Sequence, residues 1–482
     1  MIGVVLFGSF FVLLLLGVPV AFSLGVAACV SLVAMGGFGE LSIVPNVFTA
    51  SVASETLLAI PFFILAGVIM EYAGISRRLV DFAHACVGGR KHGLAIVVII
   101  AAFFFSAISG SGPATVAAIG SILIPALIRQ GYAARHATSL LASAGSMGII
   151  VPPSVAFIIF AVVVSDYAGV SIVRLFVAGI VPGILLAAAL VVASLLLPRT
   201  RPATVTAGGS GGSGGDAAEG RTGGGTAVLV GDDDGNEGGN GEHGDGDGKH
   251  GDGSDGGEHV GPQRFAASFG KAIPGLLVPL IILGGIYGGV VTPTESAVVA
   301  AVYALLVGLF VYREITPRQL YRILVTAAAQ SAVVMLIVGA ASVFAYVVTV
   351  NEIAENLSDA LLGLTGNSVL IVLLAIAVLL IVGAFIDAVS ALYLFVPIIA
   401  PVLLEAGVDV TTIGVMMVVN LALGLVTPPV GVNLFVAAGI AKVPLAEVVK
   451  GIRPFFAAGL VVLLLVAYVP ALSNWLPDLL GF

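Results

Sequence analysis

Long stretches of apolar residues alternate with short polar segments along most of this chain. A helix needs about 20 apolar residues to cross a bilayer, and runs approaching or exceeding that length recur throughout the sequence. A soluble core helix or a cleaved leader could explain one such run but not all of them, so the pattern predicts an all-α polytopic membrane protein. The clearest runs are Ile2–Leu16, Val20–Met35, Leu57–Met70, Ile172–Leu197, Ala272–Val291, Ser296–Val311 and Phe455–Val469.

One segment breaks this apolar pattern. Residues 202–263 are rich in Gly, Asp and Ser, and their twelve acidic and two basic residues give a net charge of −10. Low hydrophobicity combined with high net charge leaves too little apolar surface to offset the entropy of ordering, so we predict a disordered linker. The chain therefore divides into a first half (1–201), the linker (202–263) and a second half (264–482).

The two halves share a pattern of glycine and proline. Five positions of the first half recur in the second at a constant offset of 276 residues. Because proline interrupts helices, matches in fixed register indicate a structural repeat rather than a shared composition. The matching residues are Pro125, Gly131, Gly148, Pro152 and Pro153 in the first half and Pro401, Gly407, Gly424, Pro428 and Pro429 in the second.

Each half has the same parts in the same order. An apolar run reaches a short polar stretch, Ser109–Pro113 or Asp387–Ser390, and a second apolar run follows. Next comes a helix that a Pro-Pro pair interrupts, which membranes tolerate only where protein or a cavity covers the freed main chain. We therefore predict two helical hairpins, at about 93–130 and 368–405, each paired with a broken helix.

Charged residues give the orientation of the two halves. Basic residues flank the first hairpin, whereas acidic residues flank the second. Cytoplasmic loops collect Lys and Arg, so the halves are predicted to be inverted repeats whose hairpins re-enter from opposite sides. This arrangement gives ten spans, both chain ends outside and a cytoplasmic linker. The flanking residues are Arg77, Arg78, Arg90, Lys91, Arg129 and Arg135 in the first half and Glu352, Glu355, Asp359, Glu405 and Asp409 in the second.

Polar residues at the hairpins and breaks indicate an ion site. Opposed hairpins that meet broken helices near mid-membrane form ion and substrate sites in several transporter folds. Single Ser and Thr residues can equally bond to the preceding helical turn. Asp387 is a stronger candidate because a carboxylate at the centre of a span costs about 2.5–3.5 kcal/mol on insertion scales. Glu71 is expected to reach the inner interface, and Glu295 to cap a helix with Thr292.

Four motifs resemble the large membrane (M) subunit of tripartite ATP-independent periplasmic (TRAP) transporters. They lie at 58–71, 108–127, 284–298 and 424–440, for example Gly424-LVTPPVGVNLFVAAG-Ile440. The resemblance implies an elevator-type fold and sodium-coupled import of an organic acid, with Na⁺ as the coupling ion and no organic cofactor. It also implies a cell-membrane location and two partners, a small four-helix membrane subunit and an extracytoplasmic substrate-binding protein.

By position, the resemblance implies two sodium sites with the substrate between them. The first would comprise Ser109, Gly110, Ser111, Gly112, Pro113, Gly145, Ser146, Gly148, Pro152, Pro153 and Ser154. The second would comprise Asp387, Ser390, Asn420, Gly424, Thr427, Pro428, Pro429, Gly431 and Asn433.

Three other functions remain open at this point. A channel would use the same apolar spans, although continuous pores rarely need paired broken helices. An intramembrane aspartyl protease would need two embedded aspartates, and only Asp387 qualifies, so we do not expect an enzyme. The closest alternative is a sodium–dicarboxylate carrier that works without partner subunits.

Overall fold

The structure is a computed structural model that describes residues 2–87, 93–197, 262–356 and 367–482. Within these ranges the chain forms helices joined by turns, with no β-strand. Residues 198–261, which hold almost all of the predicted linker, lie outside the described residues, as do Arg90, Lys91 and Asp359.

The helices of each half follow in chain order. In the first half they are α1 (Ile2–Leu15), α2 (Val20–Gly36), α3 (Ile43–Val52), α4 (Ala59–Tyr72), α5 (Ile75–Val87), α6 (Gly93–Ser109), α7 (Gly112–Arg129), α8 (Ala134–Gly145), α9 (Val155–Val164) and α10 (Ile172–Leu195). After the linker they are α11 (Pro262–Tyr287), α12 (Pro293–Leu306), α13 (Pro317–Val350), α14 (Ser368–Gly383), α15 (Ala388–Glu405), α16 (Val410–Gly424), α17 (Val432–Ala441), α18 (Leu445–Tyr468) and α19 (Ala471–Leu480).

The length and apolarity of these helices confirm an all-α polytopic membrane protein. In the described ranges, seven helices are long and apolar enough to cross a membrane, and the bent pair α4–α5 makes an eighth. Two of the seven, α7 and α15, are second arms of the predicted hairpins. The count of ten spans stays a prediction, because several helices at the expected crossings, including α8, α9, α16 and α17, are shorter than 18 residues.

The run at Leu57–Met70 continues into a bend rather than ending in a loop. Helices α4 and α5 meet at 68°, around Gly74, whose φ is +68°. Arg78 holds this bend: its guanidinium donates to the main-chain oxygens of the bend and forms a 2.6 Å ion pair with Glu314. The guanidinium also stacks 3.7 Å from the centre of the Tyr312 ring. The bend is therefore pinned to the loop between α12 and α13.

Both Pro-Pro pairs interrupt helices, as predicted from their sequence. Helix α8 ends at Gly145, a 3₁₀ turn and Pro152-Pro153 follow, and α9 begins at Val155. Helix α16 ends at Gly424, and α17 begins after Gly431, whose φ of +54° favours glycine. A proline nitrogen cannot donate the helical hydrogen bond, so regular helix stops at both places.

The predicted hairpins are pairs of helices joined by short turns. Helices α6 and α7 are joined at Gly110-Ser111, where Gly110 has a φ of +60°. Pro113 stands in the first turn of α7, where a missing N–H leaves no helical bond unmade. Helices α14 and α15 are joined by residues 384–387, and Asp387 caps α15.

Packing divides the helices into two groups. Helices α1–α4 pack with α11–α13, while α6–α10 pack with α14–α19. Helix α5 and the contact between α13 and α15 connect the groups, with smaller contacts of α4 with α6 and α9 and of α11 with α6. At the centre of the second group lies α16, which is apolar on all sides and buried from Thr411 to Gly424, as such a helix must be. The first broken helix and α16, the first part of the second, are therefore enclosed by protein.

Candidate functional site

The turn between α6 and α7 is stabilised by its own hydroxyl groups. Ser109 Oγ lies 2.9 Å from Thr115 Oγ1, and both hydroxyls contact the main-chain oxygen of Ser111, at 3.2 and 2.8 Å. Because Ser111 O also accepts the main-chain N–H of Thr115 at 3.1 Å, this oxygen is fully used inside the turn.

This turn packs directly on the first break. A Cβ built on Gly148 would lie 2.5 Å from Ser111 O, and one built on Gly110 would lie 3.2 Å from Pro153 O. No side chain fits at Gly148, since the atom it would meet is main chain. Pro152, Pro153 and Ser154 are buried, and Ser154 Oγ donates to Ile149 O at 2.5 Å.

The carboxylate of Asp387 accepts hydrogen bonds from the first turn of α15. Its Oδ1 accepts the N–H groups of Val389 and Ser390 at 3.0 and 3.1 Å, and its Oδ2 accepts the Ser390 hydroxyl at 2.6 Å. The partial positive charge of a helix N-terminus favours a carboxylate there. Asp387 therefore needs no basic partner, and it retains unused lone pairs toward the cavity that it lines.

The second break packs against the end of α14, the first arm of its own hairpin. A Cβ built on Gly424 would lie 2.7 Å from the main chain of Gly383, and Val430 N donates to Ala384 O at 3.3 Å. Thr427 Oγ1 donates to Leu423 O at 2.6 Å. This is the hydrogen bond to the preceding helical turn that the sequence analysis gave as the alternative to ion binding. Pro428 and Pro429 are exposed, unlike the buried pair of the first break.

Two asparagines of the predicted second set are completely buried. Asn420 Nδ2 donates to Ile376 O at 3.0 Å, within the second half. Asn433 instead contacts the first half: its Nδ2 donates to Ala142 O at 3.1 Å and lies 3.4 Å from Ser146 Oγ. The structure therefore places Asn433 beside the first predicted set. The Oδ1 atoms of both asparagines accept no hydrogen bond from the described residues.

A cavity of about 700 Å³ opens where the two hairpin turns converge. Six predicted site residues line it: Ser109, Gly110, Ser111, Gly112, Pro113 and Asp387. Leu425, Val155 and Val432, beside the two breaks, also line this wall. The remaining predicted residues do not line the cavity, among them both pairs of prolines and both asparagines.

The opposite wall contains polar residues that the sequence analysis did not assign to a site. Helix α4 contributes Glu71 and Tyr72, and α13 contributes Thr326 and Gln330. Glu71 was expected only to reach the inner interface. A sequence signal existed for α13, because Thr326 and Gln330 stand one turn apart on one face of an otherwise apolar helix.

The chemistry of these groups suits a small hard cation. Among the described residues, no group of three or more His, Cys, Asp or Glu side chains could hold a metal ion. The groups at hand are instead amide, hydroxyl, carbonyl and carboxylate oxygens, which hard cations prefer. The buried Oδ1 atoms of Asn420 and Asn433, which lack donors, fit such an ion.

An all-helical membrane body with a cavity beside two interrupted helices is the architecture of a membrane transporter. The family model described as "Tripartite ATP-independent periplasmic transporter, DctM component" matches residues 7–472. This chain belongs to that family. The capping box of Thr292 and Glu295, inside one of the four motifs, is also present as predicted.

Curated relatives support the family assignment. The chain is 39% identical over 468 residues to the isethionate TRAP transporter permease protein DctMQ of Oleidesulfovibrio alaskensis, covering 97% of this chain and 65% of that longer protein. It is 35% identical over 459 residues to the C4-dicarboxylate TRAP transporter large permease protein DctM of Pseudomonas aeruginosa, covering 95% of this chain and 94% of the relative.

Two solved structures share the fold at low sequence identity. The YdaH transporter of Alcanivorax borkumensis matches with a TM-score of 0.54 and 15% identity, over 98% of this chain and 97% of that one. MtrF of Neisseria gonorrhoeae, described as an efflux pump, matches with a TM-score of 0.56 and 13% identity, over 92% and 86%. These likenesses concern the fold alone.

Proposed function

We propose that this chain is the large permease of a sodium-coupled TRAP transporter that imports an organic acid. In this proposal an extracytoplasmic binding protein delivers the substrate, and a small four-helix membrane subunit accompanies the permease. The observation that carries the proposal is the cavity, which two hairpin turns and two helix breaks enclose on one side and α4 and α13 on the other.

The charge of the cavity supports cation coupling. Its described lining includes two carboxylates, Glu71 and Asp387, and no Lys or Arg. An organic anion entering this space would raise the negative charge in a low-dielectric environment, where repulsion is strong. Cations that bind beside the anion relieve that repulsion, and Na⁺ suits the oxygen groups at the hairpins and breaks.

Two sodium ions supply enough energy for accumulation. At about 2.3 kcal/mol per charge per 100 mV, two ions moving down the membrane potential contribute roughly 4.6 kcal/mol. At about 1.4 kcal/mol per tenfold, this supports roughly thousandfold accumulation of a neutral solute, and less for an anion that enters against the potential.

The two packing groups support an elevator mechanism. In this proposal α6–α10 and α14–α19 move as one body, carrying both hairpins and both breaks, while α1–α4 and α11–α13 stay fixed. The hairpins are re-entrant from opposite sides and the halves are inverted repeats. In this mechanism the moving body takes two positions. In one of them the substrate contacts the cavity wall formed by α4 and α13, and in the other the substrate has moved away from that wall.

The substrate class follows from chemistry shared by the relatives. One relative is named for isethionate and another for C4-dicarboxylates, and both substrates are small organic anions. A cavity of about 700 Å³ accommodates a molecule of that size with its hydration.

Reconstitution tests the proposal. Proteoliposomes containing this chain and its small membrane subunit are loaded with K⁺ buffer. Uptake of labelled isethionate and succinate is measured with and without an inward Na⁺ gradient, and with and without the binding protein outside. The matched control replaces Na⁺ with choline. We expect uptake that requires both Na⁺ and the binding protein.

Uptake by proteoliposomes with this chain alone, and currents in a planar bilayer, separate the alternatives. Na⁺-driven uptake by this chain alone would favour the stand-alone carrier. Single-channel currents in a planar bilayer would favour a channel. Uptake that is unaffected when choline replaces Na⁺ would contradict sodium coupling.

A further inference from the structure

The side chain of Asn433 joins the two halves of the protein. Asn433 stands in the first turn of α17, a helix of the second half, and it is completely buried. Helix α17 packs against α7 and α8 of the first half. The amide of Asn433 meets Ala142 and Ser146 at the end of α8, next to the first break.

These contacts determine which way the amide faces. Ala142 O can only accept, so the atom 3.1 Å from it must be the amide nitrogen of Asn433, and Oδ1 must be the other terminal atom. The amide lies close to Gly112 at the start of α7, since a Cβ built there would be 3.1 Å from both Nδ2 and Oδ1. Glycine at 112 therefore lets the amide approach the hairpin turn.

Oδ1 of Asn433 has no donor among the described residues although it is fully buried. Leaving a buried acceptor unpaired costs about 1–3 kcal/mol. Buried polar groups without a protein partner are normally satisfied by ordered water or an ion. Ser146 Oγ, 3.4 Å from the same amide, is a second oxygen at this place, and its own hydroxyl proton has no acceptor among the described residues.

We propose that Oδ1 of Asn433 is a ligand of the first sodium ion. The residues around this position, Gly112, Ser146 and Asn433, come from the first hairpin, the end of α8 and α17, so the site would contain residues of both halves of the chain. This inference rests on the sodium coupling proposed above, and it moves Asn433 from the second site to the first. Ion binding at this site ties the second half to the first hairpin.

Thermal stabilisation by Na⁺ tests the inference without a transport assay. The melting midpoint of the purified full-length chain is followed as NaCl replaces choline chloride at constant ionic strength. Asn433→Leu keeps the size of the side chain but removes its oxygen, and we expect the apparent Na⁺ affinity to fall about tenfold or more. Asn433→Asp keeps an oxygen in place of Oδ1 but loses the donor to Ala142 O, so we expect a lower midpoint without Na⁺ and a retained stabilisation by Na⁺.

Asn420 supplies a matched control. It is equally buried and has the same unpaired Oδ1, but its amide contacts Ile376 of the second half. In double-mutant cycles on the apparent Na⁺ affinity, we expect the effects of Asn433→Leu and Ser146→Ala to be strongly non-additive, because both residues would act on one ion. We expect Asn420→Leu to be additive with Ser146→Ala.

The outcomes distinguish the inference from the function on which it rests. A normal Na⁺ response in Asn433→Leu would show that the amide is only structural, even if the midpoint without Na⁺ falls. Additive effects of Asn433→Leu and Ser146→Ala would equally overturn the assignment. If the unsubstituted chain shows no Na⁺ response, sodium coupling itself is wrong and the assignment fails with it.

Discussion

The carboxylate of Asp387 combines a structural role with a place in the cavity wall. Three hydrogen bonds from the first turn of α15 stabilise its charge within the membrane body, and the cavity is open to it on the other side. Another aspartate has the first role without the second. Asp409 caps α16 by accepting Thr412 N at 3.0 Å, and it does not line the cavity.

Substitutions at Asp387 and Asp409 distinguish an effect on stability from an effect on ion binding. Asp387→Ala and Asp409→Ala each remove a cap, so we expect each to lower the free energy of unfolding by about 1 kcal/mol. Asp387→Asn keeps the cap but removes the charge. We expect only the two changes at Asp387 to weaken Na⁺-dependent uptake, measured as the Na⁺ concentration for half-maximal rate. Normal sodium dependence in Asp387→Asn would remove this residue from the ion site.

At the scale of residues, the sequence predicts those hydrogen bonds that form between near neighbours along the chain. Caps such as Thr292 with Glu295 are local, and their hydrogen bonds are present as predicted. The position of Asn433 could not be predicted from the 276-residue offset, because the offset relates equivalent positions of the two halves and not the contacts between the halves. Its partner Ala142 is 291 residues away, and that contact is set by how α17 packs.

At the scale of elements, two glycines let the hairpins contact the breaks. Gly148 and Gly424 occupy the same position in the two halves, and each faces main chain of a hairpin. The offset in sequence predicted the helix breaks and the hairpin turns. It could not predict the asymmetry between the buried first Pro-Pro pair and the exposed second one, because burial depends on neighbouring helices.

Alanine substitution tests this close packing. Gly148→Ala would place a methyl group 2.5 Å from Ser111 O, so we expect a loss of about 1–3 kcal/mol in unfolding free energy and a loss of transport. Gly439→Ala in α17 is the control, because a Cβ there meets nothing within 4 Å. Stability is measured by SDS titration in detergent micelles. Equal stability of the two variants would contradict the packing.

The bend between α4 and α5 offers a second test at this scale. We expect Arg78→Ala to destabilise the protein by about 1–2 kcal/mol, because it removes a partly buried ion pair and a stacked guanidinium. Arg78→Lys should recover little of this stability, since an ammonium group cannot stack on the ring as a planar guanidinium does or donate the same set of hydrogen bonds. The adjacent Arg77→Ala is an exposed control, expected to change the unfolding free energy by less than about 0.5 kcal/mol. A similar loss from both alanine variants would argue against the Arg78 contacts.

At the scale of the whole molecule, charge carries the prediction of orientation. The predicted outer side has one basic residue near a helix start, Arg174, and the structure pairs it with Asp478 at 2.7 Å. The same guanidinium donates to Thr411 and Asn474, which ties α19 to α10 and α16. Its charge is therefore balanced locally, while the orientation of the two halves stays a prediction.

Cysteine labelling tests this orientation. In a background where Cys29 and Cys86 are replaced by serine, Ser254→Cys places a thiol in the linker and Ala471→Cys places one on the exposed face of α19. We expect a membrane-impermeant maleimide to label Ala471→Cys in intact cells, and to label Ser254→Cys only after permeabilisation. Ready labelling of Ser254→Cys in intact cells would overturn the predicted topology.

The packing of α17 between α7 and α8 has a consequence for biosynthesis. The faces of α7 and α8 that contact α17 are present once α8 has been inserted, but α17 is synthesised nearly 300 residues later, as the separation of Ala142 and Asn433 shows. Closing so long a loop is slow and leaves apolar and polar surface uncovered in the meantime. The first half must therefore wait in the membrane as an unfinished intermediate, and premature termination before α17 should leave a product that membrane proteases remove.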